Sequence, residues 1–198
     1  CDSGILGEKA SVCGCMENSS ITGDQCISLY QTGPKEIILN YMLEGEEKSL
    51  DFTVYKNLSD HLSTQSKVIS YPNGQKPTRA DFELKILNNE QQRDLLLPLA
   101  IKIQNLTIDK EEQARIAVSI VQNIEYGFSN KTENFFGTEI NYSRYPYEVL
   151  YDSQGICGEK SELLAFLLRE IGYETVLLYH QQENHQAVGI KCPMSPGK

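Results

Sequence analysis

Two residues in this sequence have the type and setting for nucleophilic chemistry, Cys157 and His185. Cys157 follows Gly155-Ile156 and opens a stretch in which Leu164, Leu167, Leu168 and Ile171 recur at helical spacing. A cysteine in the first turn of a helix faces the positive end of the helix dipole and backbone N–H groups that lack intrahelical partners. That setting stabilises the thiolate, which is the nucleophilic form, and the same N–H groups can hold a developing oxyanion. The alternative for Cys157 is a small buried apolar residue, a frequent fate of free cysteine, and position alone does not separate the two. His185 shifts the balance. On a strand, His185, Ala187 and Gly189 share one face, while Gln186, Val188 and Ile190 share the other, with Val188 and Ile190 expected in the core. Small residues after His185 let a helix end pack close, which brings an imidazole within reach of the thiol. His61, among strand-like runs, and His180, at a strand end facing a turn, fit that geometry less well.

The elements that must position this pair are readable in outline. Residues 1–26 are rich in Gly, Ser and Cys without a hydrophobic period and read as an irregular leader. Residues 27–87 read as a small β region, with strand-like runs at 36–42, 49–54, 67–71 and 81–87, the last carrying the alternation Phe82, Leu84, Ile86. A helix is expected over 90–105, with Pro98 as a point for a kink. A second begins after Asp109, which can cap it while Glu112 completes a capping box. Its stripe is Ala114, Ala117, Val118, Val121 and Ile124, and Gly127 supplies the stop. A polar loop over 129–143 leads to Arg144-Tyr145-Pro146-Tyr147 and a turn at 152–155. The helix opening at Cys157 ends at Gly172, and strands over 174–179 and 185–191 close the chain.

Several of these residues are familiar as a set. Tyr145-Pro146-Tyr147-Glu148-Val149-Leu150, then Gly155-Ile156-Cys157-Gly158-Glu159-Lys160-Ser161 with its leucine-rich helix, resembles the transglutaminase-like superfamily, and most closely its bacterial and archaeal cysteine-protease-like members. His185-Gln186-Ala187-Val188-Gly189 is similar to the strand headed by that family's histidine. The resemblance covers roughly residues 88–192 and implies an α+β, papain-like core, in which a helix bearing the cysteine packs on an antiparallel sheet bearing the histidine. It also implies a thiol hydrolase that cuts amide or isopeptide bonds through a Cys-His-Asp triad and a thioester, without cofactor or metal. Catalytic roles carry over to Cys157 and His185 alone. The family's orienting Asp lies on a later strand, and no Asp or Glu follows Glu183, so 88–198 is read as a core cut short. A third residue from elsewhere, or an inefficient enzyme, fits the same fact. Other readings of the fold are a non-catalytic peptide-binding or scaffold module and a protein-crosslinking acyltransferase.

Charge and cysteine usage limit the setting. The 198 residues carry a net charge of −9, without the basic patch that phosphate binding requires, so nucleic acid is excluded as a partner; the resemblance implies a peptide or protein substrate, with the cell envelope as one source. No apolar run reaches the ~18–20 residues of a membrane span. A chain beginning at Cys1 followed by Asp2-Ser3-Gly4 reads as a lipoprotein anchored through Cys1, hence as extracytoplasmic. Cys13, Cys15, Cys26 and Cys192 then remain for two disulfides, whose pairing the sequence leaves open. A zinc site on Cys13, Cys15 and Cys26 is the rival, opposed by Cys-x-Cys spacing and the lack of a nearby histidine. Sequons at Asn18, Asn57, Asn105, Asn130 and Asn141 suit the same compartment but also arise by chance.

Overall fold

The computed structural model describes residues 19–22, 25–71, 74, 76–135 and 138–191. The readings made for Cys1, Cys13, Cys15 and Cys192 lie outside those residues, and so do the two disulfides expected among Cys13, Cys15, Cys26 and Cys192. The chain is mixed α+β, with six helices and five small two-stranded sheets among the described residues.

Strands β1 (Ser19–Thr22) and β2 (Gln25–Ser28) form an antiparallel ribbon within the stretch expected to be irregular. Strands β3 (Pro34–Leu43) and β4 (Glu46–Tyr55) pair over their whole length. Glu44 and Gly45 join them with φ of 55° and 80°, the left-handed values a tight hairpin demands. Alternation decides the buried face: Ile37, Leu39, Tyr41 and Leu43 are buried, while Ile38 and Met42 are exposed.

Two helices stand in the rest of the expected β region. Helix α1 (Lys56–Thr64) follows β4 directly, and α2 (Arg79–Leu87) occupies the run read as a strand on its Phe82, Leu84, Ile86 alternation. The reason is local. Asp81 Oδ2 accepts hydrogen bonds from the Thr78 N–H (2.6 Å) and hydroxyl (2.7 Å), a capping box that starts a helix. Leu84 is then exposed and Ile86 and Leu87 are buried. Residues 67–71 form no strand either.

Helix α3 (Glu90–Leu106) runs through Pro98. Asp109 caps α4 (Lys110–Asn123) by accepting from the N–H groups of Glu111 (2.7 Å) and Glu112 (3.2 Å). The expected Glu112 box does not form, since that carboxylate lies 3.7 Å from Arg115 instead. Gly127 is not the stop: the backbone turns extended at Ile124, because β5 (Glu125–Tyr126) pairs in parallel with β8 (Gln154–Gly155). The loop expected over 129–143 contains a second ribbon, β6 (Thr132–Phe135) and β7 (Thr138–Asn141). Helix α5 (Pro146–Asp152) precedes β8.

Helix α6 (Cys157–Ile171) ends where expected, with Gly172 at φ 109° and the Tyr173 N–H bonded to the Leu168 carbonyl (2.9 Å). Strands β9 (Thr175–His180) and β10 (His185–Ile190) form the closing hairpin. Leu163, Phe166 and Leu167 of α6 are fully buried in a core that also takes in β3, β4, α1, α3, α4 and α5. None of the helices among the described residues is long and apolar enough to cross a membrane.

One core shared by both halves predicts one unfolding transition. Leu58→Ala in α1 and Leu163→Ala in α6 remove side chains of zero exposure. Each should lower stability by about 2–5 kcal/mol in urea titrations, with fluorescence and circular dichroism transitions that coincide. Two separated transitions, with Leu58→Ala moving only one, would contradict a shared core.

Candidate active site

The start of α6 is held by one carboxylate. Glu159, 2% exposed, accepts from the Ile156 N–H (3.0 Å) and the Arg144 N–H (2.7 Å). The Arg144 guanidinium, itself buried, closes the arrangement 3.1 Å from Glu159 Oε2. Its other N–H groups donate to Asp152 Oδ2 (2.7 Å), the carbonyls of Gly127 (3.2 Å) and Phe128 (3.3 Å), and Gln154 Oε1 (3.0 Å). Burial works against the charge of Arg144, but Asp152 and Glu159 outweigh it and hold the guanidinium above its ordinary value.

The flanking Tyr-Pro-Tyr serves the same end. Pro146 begins α5 with a residue whose missing N–H costs nothing there. The Tyr147 hydroxyl accepts from the Tyr55 N–H (2.6 Å), tying α5 to the end of β4. Glu148 Oε2 accepts from the Tyr142 hydroxyl (2.5 Å) and the Tyr145 N–H (3.0 Å). Lys160 donates to the carbonyls of Ile124 (2.6 Å) and Gln122 (3.3 Å), fastening the first turn of α6 to the end of α4.

Cys157 is thereby fixed as the first residue of α6, partly exposed, at the edge of a cleft of about 510 Å³ between α4, α6 and β10. His185 lines the same cleft, with Asn184, Glu183 and Tyr126. The two residues singled out in the sequence therefore share one cavity. They are not hydrogen-bonded to each other: among the described residues, the thiol's partner is the Asn184 carbonyl at 3.9 Å. Asn184 has φ of 46°, and its side-chain oxygen accepts from the Tyr179 hydroxyl (2.9 Å). The other histidines stand apart. His61 contacts Gln65 (2.7 Å) and Tyr30 (3.4 Å), and His180 sits opposite His185 in the hairpin.

The face of β10 against α6 differs from expectation. Gln186 is buried and Val188 packs on the core, while Ile190, expected there too, is 40% exposed. Gly158 faces Gln186 across this contact, where an added Cβ would lie at an ordinary van der Waals distance of 3.5 Å from Gln186 Oε1. Arg79 Nη2 donates to that oxygen (2.6 Å), and its guanidinium stacks 3.8 Å from the Tyr179 ring centroid. Ser161 donates to the Gln186 carbonyl (3.0 Å). So α2 clamps the hairpin that carries His185. Sequence reading missed Arg79, Asn184, Gln186 and the reach of Arg144; Arg79 and Gln186 meet across 107 residues, while the partners of Arg144 lie 8 to 17 residues on either side of it. For Arg144, its place in the Tyr-Pro-Tyr lead-in was the available signal.

Under this surface, Glu162 is buried with Oε2 unpartnered, as is Gln186 Nε2. Burial, then the nearby carboxylates of Glu83 and Glu159, pushes Glu162 up to about 8, with Lys67 and Arg79 opposing.

No family model, curated protein or solved structure matches the chain.

Arg144→Ala leaves Glu159 buried and unpaired, and should cost about 3–5 kcal/mol in urea unfolding. Arg144→Lys should not restore it, because one ammonium cannot reach acceptors spread around a planar fork; full rescue would contradict the network. A second test concerns Glu162. The fold holds its proton more tightly than the unfolded chain does, so its contribution is fully present below the ordinary carboxylate value of about 4.3 and is lost as pH rises through about 8. Glu162→Gln should flatten the fall of the urea midpoint between about pH 5 and pH 8. An unchanged slope would show that this carboxyl is not buried neutral.

Proposed function

We propose that this chain is an extracytoplasmic thiol hydrolase that cleaves amide or isopeptide bonds in peptides or proteins, on a papain-like, transglutaminase-like core. The observation that carries the reading is that Cys157, at the start of a buried helix, and His185, at the start of β10, line one cleft. The motif resemblance and the cysteine and sequon pattern support it from the sequence side.

The chemistry follows from the groups present. His185 takes the proton of the Cys157 thiol as sulfur attacks the carbonyl carbon of the substrate amide. The N–H groups at the first turn of α6 hold the oxyanion that forms. The C–N bond breaks as His185 returns the proton to the leaving amine, giving a thioester on Cys157. His185 then deprotonates water, which attacks the thioester, expels the thiolate and releases the acid. Transfer to an amine would differ only in the acceptor. The geometry also supports a second reading, a non-catalytic peptide-binding module. The thiol faces the Asn184 carbonyl, and among the described residues no carboxylate is hydrogen-bonded to His185.

Incubation with activated amides and isopeptide conjugates, quenched in acid and read by intact-protein mass spectrometry, tests the proposal. The hydrolase reading expects a substrate-derived acyl adduct on Cys157 and amine release, both abolished in Cys157→Ala and slowed at least about 100-fold in His185→Ala. Amine release that survives Cys157→Ala, or no adduct on any amide tested, would favour the binding module.

A further inference from the structure

His185 stands one residue past a turn, and that turn is tied on one side to the thiol and on the other to a tyrosine. Residues 181–184 join β9 to β10, and the Asn184 N–H donates to the Gln181 carbonyl (3.4 Å). Asn184 ends the turn at φ 46°, a left-handed value that asparagine and glycine adopt more readily than other residues. Its side-chain oxygen accepts from the Tyr179 hydroxyl at 2.9 Å, and its backbone carbonyl lies 3.9 Å from Cys157 Sγ.

That carbonyl matters because of what shares its peptide. The Asn184 C=O and the His185 N–H and Cα belong to one planar unit. Seating the plane against the sulfur therefore fixes where the His185 Cα stands relative to the thiol. Tyr179 is held in turn from α2. It stands opposite Gln186 in the hairpin, and Arg79 takes the two together. The guanidinium stacks 3.8 Å from the Tyr179 ring centroid and donates to Gln186 Oε1 (2.6 Å), while Glu83 accepts from Arg79 Nε (2.7 Å). A line of contacts thus runs from Glu83 through Arg79, Tyr179 and Asn184 to Cys157. Tyr179 and Asn184 are both exposed, so their bond adds little to the core. What it fixes is the turn.

We propose that Tyr179 and Asn184 are positioning residues for the thiol–imidazole pair: the Tyr179 hydroxyl holds the Asn184 turn, and Asn184 sets the peptide that carries His185 against Cys157. Arg79 anchors the tyrosine ring from α2. The inference deepens the hydrolase reading and rests on it for the role of His185. A base displaced by even about 1 Å from the group it serves loses much of its effect, so a single exposed hydroxyl can matter here.

The test uses the full chain and reads iodoacetamide labelling of Cys157 by peptide mass spectrometry. At about pH 5.5, Tyr179→Phe and Asn184→Gly should each label at least about threefold more slowly than the intact chain. Phenylalanine keeps the ring against Arg79 and glycine keeps the left-handed turn, so each removes one end of the bond and little else. Combined, they should cost no more than either alone, because they break the same bond. In a His185→Ala background, Tyr179→Phe should cost nothing. At about pH 9.5, where a cysteine ionises without help, all these chains should label alike. Lys160 and Glu183, the charged groups that line the cleft with Cys157 and His185, are the same in every variant. Labelling of Tyr179→Phe at the intact rate, with the His185→Ala loss still present, overturns the proposal and leaves the pair standing. A Tyr179→Phe loss that persists in His185→Ala or at the alkaline end also overturns it, since the bond would then serve the fold alone. If His185→Ala labels like the intact chain, the pair itself fails, and the positioning role fails with it.

Discussion

The candidate site depends on the buried pair of Arg144 and Glu159. Removing two such charges from water costs several kcal/mol for each ion, and their mutual attraction offsets that only if the remaining hydrogen-bonding groups are satisfied. Here they are. Glu159 receives two backbone N–H groups as well as the guanidinium, and Arg144 reaches Asp152, Gln154 and two loop carbonyls. The pair is therefore less a source of net stability than a device of position. It joins the segment before α5, the β8 turn and the first turn of α6 into one rigid piece, and Cys157 is part of it.

The histidine side is held differently. Among the described residues, no ion pair fixes His185 itself. Its hairpin is instead pinned by Arg79 on Gln186 and Tyr179, and by the Ser161 bond to the Gln186 backbone. The thiol is thus set in the Arg144–Glu159 frame, while the imidazole stands at an exposed strand end. The burial of Glu162 without a full set of partners lies under the same contact, a local cost of bringing helix and strand so close.

How much of this was legible in the sequence follows from the range of the interactions. Helices α4 and α6 and the β9–β10 hairpin are long enough for their period to dominate, and Asp109 and Gly172 act within one turn. Cys157 and His185 could be singled out because helix-start and strand-start positions are local properties. Helix α2 was not legible. In nine residues, apolar side chains at 82, 84 and 86 fit a strand, and the capping bonds between Thr78 and Asp81 settle the matter. The end of α4 was misplaced because β8, about thirty residues on, draws β5 into a parallel pair. The burial of Gln186 was beyond local reading, since the partner that makes it tolerable is Arg79, 107 residues earlier.

The account's central claim is that Cys157 and His185 act as a pair, and alkylation of Cys157 tests it most directly. Rates of iodoacetamide labelling at Cys157, read by peptide mass spectrometry from about pH 5 to pH 8, should be high in the intact chain across the range where imidazole charges. In His185→Ala they should fall at least about tenfold at the acidic end. Equal rates in the two chains across that range would contradict the pair, and with it the hydrolase built upon it.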